Sequence, residues 1–224
     1  MARPREFDAD AALDRALSAF WAKGYAGTSL DDLCVATGLN RSSLYGAFGD
    51  KRSIYLQALD RYERNGVAHI AALLAQGPIR NAFEKFLDRL IDDIVAGPGR
   101  RGCFIGNCAA ELERRDRRTA ARVGKSLESI ELTFREALAA AKLRNELSNE
   151  VDANSLATYL TAAVQGLRLV GKANPDRRAL TDIAHWTLQA LESQSESGAR
   201  SNKPRQPASP AARRRETNEA QEEV

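Results

Sequence analysis

The sequence predicts an all-α protein, and three observations carry that prediction. Apolar residues recur three and four apart from Leu13 to Leu191. Alternating runs of Val and Ile, the mark of half-buried strands, are missing. Between the apolar stripes stand the residues that start and stop helices, namely Asp, Ser or Asn before a stripe and Gly or Pro after it.

Leu13, Ala16, Leu17 and Phe20 form the first stripe, with Asp8 or Asp10 as its cap and Gly24 as its end. Thr28 and Ser29 precede a short helix whose buried side is Leu30, Leu33 and Ala36. Ser29-Leu30-Asp31-Asp32 has the form of a capping box, in which the serine and the acid three residues on satisfy each other's backbone N–H groups. Thr37-Gly38-Leu39 follows, then Asn40 as the cap of a second short helix bearing Leu44 and Phe48. Gly38 can take the positive φ of a tight interhelical turn. A long pattern runs from Asp50 to about Ala75 through Ile54, Leu59, Tyr62 and Ile70. Phe83, Phe86, Leu87, Leu90, Ile91 and Ile94 make the next helix, stopped by Gly97-Pro98-Gly99. Val123, Leu127, Ile130, Phe134, Leu138 and Ala141 make another; Leu156, Leu160, Ala163, Leu167 and Val170 make one that ends before Gly171 and Pro175. Leu180, Ile183, Ala184, Thr187, Leu188 and Leu191 mark the last. From Ser193 large apolar residues nearly vanish, and such a segment cannot bury enough surface to offset its ordering entropy. The expected organisation is a unit of short helices over residues 1–52, a longer helical unit over 53–192 and a disordered tail over 193–224.

Composition narrows the function. The chain has 224 residues, of which 43% are hydrophobic and 28% charged, ordinary values for a globular protein. A net charge of +3 does not by itself point to nucleic acid or to a membrane surface. No run approaches the roughly 18 apolar residues of a membrane span, and MARPREFDAD turns acidic where a signal peptide would turn apolar. Three cysteines, an odd number, argue against a disulfide framework and for a reducing cytoplasm.

Two short helices joined by three residues including a glycine form a helix-turn-helix signature, although a plain helical hairpin has the same spacing. The second helix separates the two. At about 100° per residue, Leu44 and Phe48 lie together and face the core. Ser42 and Gly46 then stand about 160° from Leu44 on either side, flanked by Ser43 and Tyr45, with Arg41 at the leading edge. This outward face is small, hydrogen-bonding and uncharged except for Arg41, where a solvated bundle face would carry Glu and Lys. Small polar residues let a helix seat deeply in a major groove while Arg41 and Tyr45 reach base edges or phosphates. Asp50 caps the following helix and puts Lys51 beside its free N–H groups, a suitable phosphate clamp.

The block FWAKGYAGTSLDDLCVATGLNRSSLYGAFGDKRSIY resembles the DNA-binding signature of the TetR family of transcriptional regulators. Phe20, Gly24, Tyr25, Thr28, Ser29, Leu33, Gly38, Leu44, Tyr45, Phe48 and Lys51 match in order and without gaps. The resemblance implies a homodimer on a roughly palindromic double-stranded operator, joined through its last two helices (about 151–192). It further implies phosphate contacts from Thr28 and Lys51, and a groove-facing set of Arg41, Ser42, Ser43, Tyr45 and Gly46. Ala47 stands where many members carry His, and Gly46 has no side chain, so fewer direct base contacts are expected. Residues 1–52 balance seven basic groups against seven acidic ones. Because non-specific affinity rises with the phosphates neutralised, binding is expected to depend on local placement and dimerisation. From Gly38 to Arg52 the balance is three basic to one acidic.

The remaining motifs are weaker. Gly97-Pro98-Gly99-Arg100-Arg101-Gly102 fits a dinucleotide-binding string but follows a helix, not a strand, and reads as a loop. Cys34 reads as a small core residue. Cys103 and Cys108 open a helix, five residues or about 140° apart, with no His near them, so no metal site is expected. Cys103, near a helix start and after Arg100 and Arg101, is the candidate redox or effector sensor, because both features favour the thiolate; buried packing is the alternative. This stretch also resembles, less specifically, that of family members responding to electrophiles or oxidants. His69 and His185 read as ordinary packed or surface histidines, and Arg114, Arg115, Arg117 and Arg118 around Asp116 as a solvated charged stretch. The expectation is a sequence-specific DNA-binding regulator and repressor, released by an unknown small-molecule effector or by cysteine modification. It needs no cofactor, metal or membrane. A non-specific architectural DNA binder and a helical enzyme are the alternatives.

Overall fold

A computed structural model describes residues 7–111 and 116–201, with side chains to residue 192. Within them the chain folds into nine α-helices and no strand: α1 Ala9–Gly27, α2 Leu30–Thr37, α3 Arg41–Phe48, α4 Lys51–Leu74, α5 Ile79–Ala96, α6 Phe104–Ala110, α7 Arg117–Leu143, α8 Ala153–Ala173 and α9 Arg177–Ser201. The glycine string at 97–102 forms a 3₁₀ turn over Pro98–Arg101, outside any βαβ setting.

Most of the anticipated helix starts are built as the sequence suggests. Asp8 accepts from the backbone N–H groups of Asp10 and Ala11. Ser29 and Asp32 form the reciprocal capping box, Asn40 accepts from Ser43 N at 2.8 Å, and Asp50 from Ser53 N at 2.7 Å. Gly38 sits in the left-handed region at φ 73° and closes the turn between α2 and α3. Its N–H returns to the Cys34 carbonyl at 2.9 Å.

Helices α1, α2 and α3 form a head around Ala12, Ala16, Phe20, Leu33, Leu44 and Phe48, all buried. From it α4 runs continuously into the larger helical body, so the boundary expected at 52/53 falls in the first turn of one helix. In the body α7 packs on α4 and α8, and α5 packs on α9. Phe83, Phe86 and Phe134 meet at its centre, the Phe83 and Phe134 rings 5.3 Å apart. The faces predicted from period alone are the buried ones, Phe83 through Ile94 on α5 and Val123, Ile130, Phe134, Leu138 and Ala141 on α7.

At the C-terminus the helix runs beyond the expected end. Residues 193–201, expected to open the disordered tail, extend α9 to Ser201. Apolar periodicity reports packing and not helix itself, so a stretch that lacks it carries no signal for or against a helix. Propagation then adds one hydrogen bond per residue without a new nucleus. The rest of the expected tail, 202–224, lies outside the described residues, as do Arg114 and Arg115.

Candidate nucleic-acid interface

The α2–turn–α3 unit presents its predicted face. Leu44 is fully buried and Phe48 nearly so, which locks the rotation of an eight-residue helix. Arg41, Ser42, Tyr45 and Gly46 are consequently exposed, and Ser43 is half-buried. Gly46 has nothing within 4 Å of the position a Cβ would take, so the centre of this face is flat and open.

The charged members are held in place. Arg41 pairs with Asp31 across the two helices at 2.6 Å, both side chains well exposed. Such a pair contributes little in water, and the guanidinium can exchange the carboxylate for a phosphate or a base edge. Lys51 lies at the first position of α4 with its Nζ 4.5 Å above the Tyr25 ring. Tyr25 in turn packs on Tyr55, ring centroids 4.9 Å apart.

Thr28 departs from expectation. It is wholly buried, and its hydroxyl donates to the Gly24 carbonyl at 2.6 Å. In this conformation it has no surface to offer a phosphate. The hydroxyl is consumed by the break in α1, where Gly24 takes φ 72°, ψ 175° and leaves the helical path.

That break is completed by a residue the sequence did not single out. With the helix interrupted, Tyr25 N–H loses its regular acceptor, and Glu111 Oε2 takes it at 2.8 Å. Glu111 follows α6, 86 positions away, so no local pattern could have paired them. Nearby, Trp21 Nε1 donates to the Arg101 carbonyl at 3.2 Å, and the Arg101 guanidinium stacks on the Trp21 ring. The segment from Arg101 to Glu111 is thereby fastened to the head.

The cysteines lie in the same seam. Cys103 is the N-terminal residue flanking α6 and is buried; Cys108 is buried further along it. Each faces a tyrosine of α4: Tyr62 Oη donates to Cys103 Sγ at 3.8 Å and Tyr55 Oη to Cys108 Sγ at 2.8 Å. Burial pushes the Cys108 thiol up to about 12. Arg101, one of the two arginines expected to activate Cys103, lies on Trp21 instead. Cys34 is half-buried, and all three thiols are free. His69 and His185 are exposed, and no cluster of potential metal ligands occurs among the described residues.

Of two spaces against α4 and α6, the first has room for a small molecule and the second, of about 30 Å³, holds little more than a water. A cleft of about 280 Å³ lies between the end of α1 and the α6–α7 junction, walled by Tyr25, Tyr55, Cys108, Glu111 and Thr119. A narrow cavity between α4, α6, α7 and α8 is lined by Tyr62, Val67, Ile70, Cys103, Ile130 and Arg168. Both are bounded by α4 and α6.

Two family models match the chain, one over the head and one over the body. Residues 12–58 match the family model described as bacterial regulatory proteins, tetR family, and residues 79–186 match that of the tetracyclin repressor-like C-terminal domain. The HTH-type transcriptional repressor ComR of Escherichia coli (strain K12) is 32% identical over 190 residues, covering 84% of this chain and 90% of that one. The HTH-type transcriptional regulator YezE of Bacillus subtilis (strain 168) is 31% identical over 194 residues, covering 86% and 100%. Among solved structures, a cysteine mutant of the TetR family regulator CifR bound to a 26-bp double-stranded operator superposes with a TM-score of 0.76. It shares 28% identity, over 84% of this chain and 99% of that one.

Proposed function

Because this chain belongs to the TetR family of bacterial regulatory proteins, we propose that it is a homodimeric repressor that holds a roughly palindromic operator and is released by an effector. One observation carries the DNA reading: α3 is pinned inward by Leu44 and Phe48 and turns a small, nearly uncharged face outward. Tyr45, Ser42 and Arg41 read the major groove from that face, and Lys51 at the start of α4 clamps a phosphate. Thr28 and Glu111 act behind them, by fixing the broken end of α1 on which Tyr25 and hence Lys51 rest.

The dimer reading is supported by α8 and α9, which leave Tyr159, Leu169, Val170 and Trp186 exposed, Leu169 and Trp186 each at 69%. Burying these against a second copy would link two recognition helices, which must stand about 34 Å apart to enter successive major grooves. Release is then a matter of α4. It carries the head at one end and is bound to α7 through Arg122, which pairs with Asp60 and Glu63 of α4. A ligand or a modified Cys103 that prises α6 from α4 would alter the spacing of the heads. A coupling of about 1–3 kcal/mol would release the operator 5–150-fold.

The test is a footprint and gel shift with DNA flanking the protein's own gene. A protected, near-palindromic site is expected, resistant to shuffled competitor and lost in Tyr45→Ala with the circular-dichroism spectrum unchanged. Equal affinity for shuffled DNA would reduce the protein to a non-specific binder.

A further inference from the structure

The α7 helix begins beside α4, and the two run in the same direction: Arg52 pairs with Asp116, Asp60 with Arg122, and Glu63 with Arg122. The first turn of α7 therefore lies level with the first turn of α4, the turn that presents Lys51. Between the helices runs an open groove of about 590 Å³, with Phe48, Ser53 and Gln57 on one wall and Arg118, Arg122 and Lys125 on the other. Arg118, Arg122 and Lys125 fall within about 60° of one another on α7. Arg122 is neutralised by its two carboxylates. Arg118 and Lys125 are exposed and make no ion pair or hydrogen bond among the described residues.

Two acids near Arg118 are already engaged. Asp50 caps α4, and the Ser53 hydroxyl and N–H hold its carboxyl below the usual range, with Arg118 close enough to add to the effect. Asp116 caps α7 at Thr119 N, 3.0 Å, and pairs with Arg52. Arg118 thus keeps an exposed guanidinium with no hydrogen-bonded partner among the described residues, on the groove that Phe48 at the end of the recognition helix also lines. A long, exposed guanidinium at that place fits a DNA phosphate, whose recognition needs charge and reach but no base edge.

We propose that Arg118, a residue of the effector-binding body and not of the helix-turn-helix head, contacts the DNA backbone flanking each half-site. The inference rests on the operator-binding reading above. It gives the body its own hold on DNA, so a shift of α7 against α4 registers in affinity even where the recognition helices stay seated. Lys125, two turns or about 10 Å further along α7, is too far up the groove to share the contact and serves as the control.

The experiment is fluorescence anisotropy of the full-length protein on the footprinted operator, across a salt series, on a duplex extended beyond the footprint and on one trimmed to its two half-sites. Each phosphate contact steepens the slope of log K against log salt by about 0.9. In a dimer Arg118→Ala should therefore flatten it by about 1.8 on the extended duplex and much less on the trimmed one. Arg118→Lys should restore the slope, and Lys125→Ala should leave it unchanged. A slope for Arg118→Ala equal to that of the unaltered protein, while Lys51→Ala flattens it, overturns this inference alone. Equal losses in Arg118→Ala and Lys125→Ala overturn it too, since they would report only the general field. Unaltered protein that binds no operator removes the underlying reading as well.

Discussion

Individual residues in the seam between head and body do chemistry that their type alone does not announce. Cys103 and Cys108 stand five apart in the sequence, yet each meets its own α4 tyrosine. Burial holds the Cys108 thiol near 12 against an ordinary value of 9.0, so it stays protonated and unreactive at neutral pH. Its share of stability is whole below pH 9, and it is lost as the pH climbs toward 12, where the unfolded chain ionises and the folded one does not. Alkylation of the folded protein at pH 8, mapped by mass spectrometry, should label half-buried Cys34 first and Cys108 last. Cys103 is the informative case: unchanged operator affinity once it carries an alkyl group would remove it as a sensor.

At the level of elements, α1 is a helix designed to break. Gly24 adopts a backbone conformation that is essentially glycine's alone, and a Cβ there would meet the Glu111 carboxylate at 2.5 Å. Gly24→Ala should cost about 1–3 kcal/mol in chemical denaturation and weaken operator binding by displacing Tyr25 from beneath Lys51. Glu111→Ala in the same background removes the clash but not the φ, so it should recover only part of the loss. Wild-type stability in Gly24→Ala would show that the break is incidental. The short helices α2 and α3 bury little surface of their own and depend on their caps, each about 1 kcal/mol, which is why Ser29, Asp32 and Asn40 were readable in advance. The far end of α9 has no such signal, and there periodicity misplaced the boundary.

For the whole molecule the decisive relation is the proposed one between two copies. Trp186 is exposed on α9, so Trp186→Glu should leave the folded protomer intact. The same change should drive the dimer apart in sedimentation equilibrium, because a charge cannot be buried unpaired in an apolar contact. Losing the linkage between heads should lower operator affinity by about 10²-fold or more. A dimer of undiminished strength would mean that this face of α9 is not the interface. The balanced charge of residues 1–52 makes this linkage matter, since one head alone neutralises few phosphates.

The amino-acid order by itself determined the helical class, most of the helix caps and buried faces, and the outward face of α3. All of these follow from periods of three and four residues or from bonds that span three positions. Only the tertiary structure decided that Thr28 turns inward, that Glu111 completes the break at Gly24, that Arg41 rests on Asp31, and that Arg118 stands beside Asp50. Those outcomes depend on which helices meet and in what direction, and contacts between positions tens of residues apart leave no period in the chain to read.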